Sequence, residues 1–136
     1  MRFVWKHFPL PSLHPDAPAA HLASVAADKQ GNFWEFHDKL FANQRDLKYD
    51  TFVQHAKDLG LDLQQFERDF KDASNRALMD ADIAEARSMA LTGTPAFFIN
   101  GRFLRGAQPF AGFQRVIDAE LERLNLPVPQ APEASG

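Results

Sequence analysis

Apolar and polar positions along the chain mark out a helical middle, a strand-like stretch before it and a second such stretch after it. At the start, Phe3, Trp5 and His7 alternate with Val4, Lys6 and Phe8. Aromatic side chains suit a pleated surface, so residues 2–8 are expected to form a strand. Pro9 and Pro11 end it, because proline has no donor for a ladder. Residues 9–16 then form a proline-rich connection. From about Pro18 to Lys29 the series Ala19, Ala20, Leu22, Ala23, Val25, Ala26, Ala27 predicts a helix. Gln30-Gly31 stops it, since Gly31 suits the left-handed position past a helix end.

Asn32 opens the next helix. Glu35, three residues on, fits a capping box with Asn in place of Ser or Thr. Two series, Phe33/Phe36/Leu40 and Trp34/His37/Phe41, recur at helical spacing. Residues 44–48 are a polar link. A third helix is expected from about Asp50 to Leu59, with Phe52, Val53, Ala56 and Leu59 on one face and Gly60 as its stop. Asp62 caps a fourth, in which Leu63, Phe66 and Phe70 share a face and Ser74 or Asn75 marks an interruption. A fifth continues to about Ala90, with Met79, Ile83, Ala86 and Ala90 at helical intervals.

The period then changes. Thr92-Gly93-Thr94-Pro95 is a turn signal and Ala96-Phe97-Phe98-Ile99 a short apolar strand. Asn100-Gly101 is a strong hairpin signal, because both residues tolerate positive φ. Arg102-Phe103-Leu104-Arg105 is the returning strand. Gly106-Ala107-Gln108-Pro109 leads into a last helix with Phe110, Phe113, Ile117, Leu121 and Leu124 on one face. Residues 125–136 carry Pro127, Pro129 and Pro132 among small residues and are expected to form a disordered tail.

A length of 136 residues without internal repeats argues for one domain, residues 1–124, ahead of that tail. The chain is 45% hydrophobic and 24% charged, a globular balance, and its thirteen phenylalanines and two tryptophans can fill a core. The formal net charge is −3 with the signs mixed, so no basic stripe supports nucleic-acid binding. No apolar run approaches the roughly 18 residues of a membrane span. The opening Met1–His7 is too short in apolar character for a signal peptide. Cysteine is absent, which removes disulfides, thiolate nucleophiles, cysteine-based metal sites and any composition-based clue to compartment.

The remaining candidate chemistry is sparse. His7, His14, His21, His37 and His55 include no i, i+4 pair, so no zinc motif is written and no metal or other cofactor is expected. These histidines read as surface or partly buried residues. Glu35 and His37 are two apart and point to different faces, so Glu35 reads as a cap rather than a catalyst. Asp80, Asp82 and Glu85, with Arg76 and Arg87 nearby, read as a solvated face with local ion pairs.

The segment Gly93-Thr94-Pro95-Ala96-Phe97-Phe98-Ile99-Asn100-Gly101-Arg102, followed by Gly106-Ala107-Gln108-Pro109, resembles the cis-proline hairpin of DsbA-like thioredoxin-fold proteins. Trp5-Lys6-His7-Phe8-Pro9-Leu10, with His14-Pro15 behind it, resembles the strand that follows the redox helix in that family. Gln30-Gly31-Asn32-Phe33-Trp34-Glu35 and His37-Asp38-Lys39-Leu40-Phe41 resemble its inserted helical subdomain. The order and spacing of the three blocks agree over residues 2 to 124.

The resemblance implies an α/β protein with an incomplete thioredoxin-like fold: a strand, a helical insertion at about 17–91, a β-hairpin and a C-terminal helix. It implies thiol–disulfide oxidoreductase descent and a periplasmic or other extracytoplasmic setting. The family pattern opens with a strand and a Cys-x-x-Cys helix, and this sequence begins where the family's second strand begins. The expectation is therefore a truncated oxidoreductase domain, redox-inactive as written, with no catalytic residue. What the resemblance leaves is a docking site for a peptide or protein substrate at Gly93, Thr94 and Pro95, with Thr94–Pro95 in cis. Two other readings stand beside it. One is a redox-dead peptide-binding or self-associating module. The other is a glutathione-dependent isomerase on the same scaffold, which would need a serine or similar residue in the absent segment. The lost first strand is central in the family. Residues 2–8 are thus expected to pair with residues 96–99, or a second copy to fill the gap, and a homodimer through the incomplete sheet is preferred.

Overall fold

The computed structural model describes residues 1–129. It comprises two compact units, Met1–Leu91 and the residues from Thr92 onward. The part of the expected tail from residue 130 lies outside the described residues.

The first unit holds five helices: α1 (Ala17–Asp28), α2 (Phe33–Ala42), α3 (Tyr49–Asp58), α4 (Leu63–Lys71) and α5 (Ala73–Ser88). Helix α1 is the hub, packing on each of the other four. A helix surrounded on all sides must be apolar all round, and every residue from Leu22 to Ala27 is buried. Its alanines let neighbouring helices approach closely while keeping high helix propensity. Ala20, Ala23, Ala26 and Ala27 pack with Phe36, Phe52, Ala56, Leu61 and Phe66 in one core. Phe36, Phe52 and Phe66 are fully buried, and each such ring contributes about 1.5–3 kcal/mol by leaving water.

Three helices of this unit end in the same way. Gly31 (φ +76°) follows α1, its N–H donating to Asp28 while Asn32 N–H donates to Ala27. Gly60 and Leu61 repeat the pattern after α3, on the carbonyls of Lys57 and Ala56. Ala90 and Leu91 repeat it after α5, on those of Arg87 and Ala86, with Ala90 at φ +55°. This paired closure satisfies carbonyls that the helix end would otherwise leave bare. Ala90 is therefore a left-handed stop and not the last residue of a helical face.

The helix starts differ from expectation in two places. Asp62 Oδ1 accepts from Gln65 N–H at 2.9 Å and caps α4, as its position suggests. The break before α5 falls at Asp72, whose Oδ1 accepts from Ser74 N–H at 2.7 Å, and not at Ser74 or Asn75. At α2 the capping box does not form. Asn32 makes no side-chain cap bond, because its amide donates backward to the Gln30 carbonyl at 3.0 Å.

Residues 2–8 are not a strand. Alternation alone does not make one, since a ladder needs a neighbouring backbone to satisfy its N–H and C=O groups. Side chains hold this segment instead. Trp5 packs edge-on against His37 of α2 at 4.9 Å, and Phe3 lies 5.5 Å from Trp34.

The second unit is a hairpin and a helix. Strands β1 (Ala96–Ile99) and β2 (Arg102–Arg105) pair antiparallel, with Phe97 opposite Leu104 and Phe98 opposite Phe103. Asn100 (φ +49°) and Gly101 (φ +82°) make the two-residue turn, a conformation that fits the twist of the strands. Among the described residues the sheet has these two strands, so the expected third strand from residues 2–8 is not part of it. One face turns to helix α6 (Phe110–Arg123), with the Phe97 and Phe113 rings edge to face at 4.8 Å. The other face presents Phe98 and Phe103, in contact at 5.2 Å and 44% and 50% exposed.

Candidate functional site

Gly93, Thr94 and Pro95 lie in the loop that enters β1, and all three are exposed. The Thr94–Pro95 peptide bond is cis. Proline has no N–H for a ladder, so β1 proper begins at Ala96. The Pro95 carbonyl accepts from Gly106 N–H at 3.0 Å, which ties the loop to the end of β2. Among the described residues the backbone groups of Gly93 and Thr94 make no backbone hydrogen bond. The loop carries no titratable group. It holds no acid or base beside the Thr94 hydroxyl within the loop itself.

Glu120 fixes this hairpin from below. It is buried on α6, and its carboxylate is paired with Arg102 Nε of β2 and accepts from Arg123 at 2.9 and 3.0 Å. The Asn100 amide of the turn adds a longer contact at 3.4 Å. Arg123 foremost, and Arg102 with it, hold the Glu120 carboxyl below the ordinary glutamate range. Sequence reading passed over this cluster. Glu120 is one of three acids on α6, with Asp118 and Glu122, and no spacing rule singles it out.

In the first unit, His7 and His21 meet although they are 14 residues apart, their Nδ1 atoms 2.8 Å from each other. Burial holds both imidazoles below their ordinary value, His21 down to about 4, and charge on His7 further opposes charge on His21. Among the described residues no three His, Cys, Asp or Glu side chains converge as a metal site would need. His55 is buried beside the Phe36 ring at 6.0 Å, with neither ring nitrogen hydrogen-bonded. His37 Nδ1 contacts Asp38 at 3.0 Å. Glu35 is exposed in the first turn of α2. Asp82 and Glu85 do not pair with Arg76 or Arg87. Both engage Lys6, at 2.9 and 2.8 Å, because the N-terminal segment crosses that face of α5.

The profile of the DSBA-like thioredoxin domain matches residues 4–118. The chain belongs to the DSBA-like thioredoxin family. Among the described residues, six helices and a two-stranded antiparallel sheet make the mixed α/β architecture of an incomplete thioredoxin-like fold. The DSBA-like chain contains no cysteine.

Among curated proteins it is 39% identical over 119 residues to the Na(+)/H(+) antiporter NhaA 1 of Mycolicibacterium gilvum, covering 86% of this chain and 19% of that one. It is 40% identical over 102 residues to the Na(+)/H(+) antiporter NhaA 3 of Salinispora tropica, covering 75% and 16%. It is 34% identical over 119 residues to the Na(+)/H(+) antiporter NhaA of Herminiimonas arsenicoxydans, covering 88% and 19%. The DSBA-like chain thus spans under a fifth of the length of these relatives. None of its helices, among the described residues, is long and apolar enough to cross a membrane.

Proposed function

We propose that these residues are the peptide-docking part of a DSBA-like thiol–disulfide oxidoreductase domain, truncated as written, acting outside the cytoplasm and supplying no thiol of their own. The observation that carries this reading is the Gly93–Thr94–Pro95 loop: exposed, free of internal backbone pairing at Gly93 and Thr94, and continuous with β1. An extended peptide can add to such a backbone as a short antiparallel strand. Exchange itself needs a thiolate that attacks a disulfide sulfur, and no residue in a cysteine-free chain replaces it.

The test is a titration of the labelled protein with extended thiol-free peptides, followed by NMR. Docking predicts shifts centred on residues 92–96 and at least tenfold weaker binding in Thr94→Pro, which deletes the Thr94 N–H. Equal affinity of the two proteins overturns the docking site. The intact mass of the protein from its native source tests the truncation. A species heavier than 15.3 kDa with titratable thiols supports it, and a thiol-free species of 15.3 kDa replaces it with a redox-dead binding module.

The Phe98–Phe103 face favours a second occupant of the incomplete sheet, another copy of this chain. Two adjacent, half-exposed rings on a two-stranded sheet are costly to leave in water and lie between open strand edges. Sedimentation at high micromolar concentration should give a homodimer that Phe98→Glu converts to monomer. A wild-type monomer under those conditions removes this reading.

A further inference from the structure

The segment Arg2–Phe8 rests on the first unit without one backbone–backbone hydrogen bond among the described residues. Its polar anchors are few. Lys6 reaches Asp82 and Glu85 on α5, His7 N–H donates to Asp82 Oδ2 at 2.9 Å, and the His7 ring meets His21 of α1. At 2.8 Å between Nδ1 atoms, one imidazole donates and the other accepts, so the contact requires that one Nδ1 carry no proton. A second proton makes both atoms donors and sets two cations against each other in a half-buried place.

We propose that the His7–His21 pair is an acid-released latch, which holds segment Arg2–Phe8 on α1 and α5 at neutral pH and frees it in mild acid. The surrounding charges decide whether acid can work it. Asp82 on α5 and Asp28 on α1 favour a charged His7, whereas Lys6 opposes it. Asp82 already accepts from Lys6 and from the His7 N–H, and Glu85 is taken by Lys6. Helix α2 offers the apolar Phe33 ring, 6.4 Å from His7, and beyond Trp5 it carries His37 with Asp38. Burial outweighs the carboxylates at His7 and acts together with the His7 charge at His21, so the latch is closed near pH 7 and strained as protons are forced on.

Release would uncover the Trp5 ring together with Phe33 and Trp34, which it now touches at 5.8 and 6.1 Å. It would also free a strand-patterned backbone. The latch therefore couples acidity to the exposure of an aromatic surface on α2.

The experiment follows the Trp5 indole N–H by NMR from pH 8 to pH 4 in wild type and in His21→Gln, with helical circular dichroism as the control for folding. The latch predicts a wild-type shift with a midpoint below 6.5 at constant helix content. In His21→Gln, whose amide serves as donor or acceptor at any of these pH values, that midpoint should move down by at least one pH unit or vanish. Equal midpoints in the two proteins overturn the latch, as does a Trp5 signal that stays constant to pH 4. Should His21→Gln fail to fold, wild type still decides through its His7 and His21 ring protons. Titration below 6.5 together with the Trp5 shift supports the latch, and titration of both rings without that shift overturns it.

Discussion

The Gln30 side chain forms two hydrogen bonds with the backbone of Asp62, donating to its carbonyl at 3.0 Å and accepting from its N–H at 2.9 Å. This couples the turn after α1 to the N-cap residue of α4, whose carboxylate caps that helix. Gln30→Ala removes both bonds and should destabilise the protein by about 1–2 kcal/mol, each bond being worth roughly 0.5–1.5 kcal/mol. Asp62→Ala should cost about 1 kcal/mol through the cap. Urea unfolding reads both values, and the double mutant should cost less than their sum if Gln30 holds Asp62 in its capping pose. Strict additivity would mean the two act independently.

Ala90 carries a side chain at a position where α1 and α3 use glycine. Its φ of +55° is left-handed, and a Cβ there crowds the following carbonyl. Ala90→Gly should stabilise the protein by about 0.5–1 kcal/mol. Gly31 and Gly60 have the same backbone and nothing within 4 Å of an added Cβ, so alanine there meets backbone strain alone. Gly31→Ala and Gly60→Ala should each destabilise by about 1 kcal/mol. Thermal melts of the three variants check the opposite signs. A destabilised Ala90→Gly would show that helix entropy outweighs the strain.

The hairpin and the helices were legible because their signals are local. Asn100-Gly101 names its own turn, and the series at Phe52, Phe66 and Met79 state a period that the core confirms. Residues 2–8 were misread because alternation describes a side-chain pattern, while a strand is a pairing with something else. Asp72 was missed as a cap since four polar residues in five, Lys71 to Asn75, offer several equivalent stops. The His7–His21 contact and the Glu120 cluster join residues from separate elements, and no spacing rule brings them together. Gly93, Thr94 and Pro95 were reached through family resemblance and not through their own chemistry, which is bare of titratable groups.

Three histidines held partly or fully out of water, His7, His21 and His55, contribute to the response to acid. Burial comes first in holding His7, His21 and His55 below the ordinary value of 6.5. The unfolded chain therefore binds protons at a higher pH than the folded one, and stability rises with pH wherever that difference exists. The contribution is complete above 6.5 and is lost as pH falls toward the folded values, about 4 for His21. Stability measured by urea unfolding should fall steadily from pH 7 to pH 4. His55→Leu should flatten part of that slope and raise stability at pH 7 by about 1 kcal/mol, because it removes two buried nitrogens without partners. A flat profile in wild type would rule out buried neutral histidines.

Glu120 should control the rigidity of the hairpin that follows the Gly93–Thr94–Pro95 loop. Its carboxylate joins Arg102 of β2, Arg123 of its own helix and Asn100 of the turn, so three side chains lose their acceptor together in Glu120→Ala. That variant should melt at lower temperature and exchange the ladder amide protons of Phe97 and Ile99 faster, while the helices of the first unit keep their protection. Glu120→Gln keeps the shape and one acceptor but gives up the charge, so it should lie between the two. The carboxyl is held below its ordinary 4.5, so this support is present above that pH and fades as pH drops through the lowered value. Unchanged exchange at Phe97 and Ile99 in Glu120→Ala would remove Glu120 as the anchor and leave the Phe97–Phe113 contact to hold the hairpin alone.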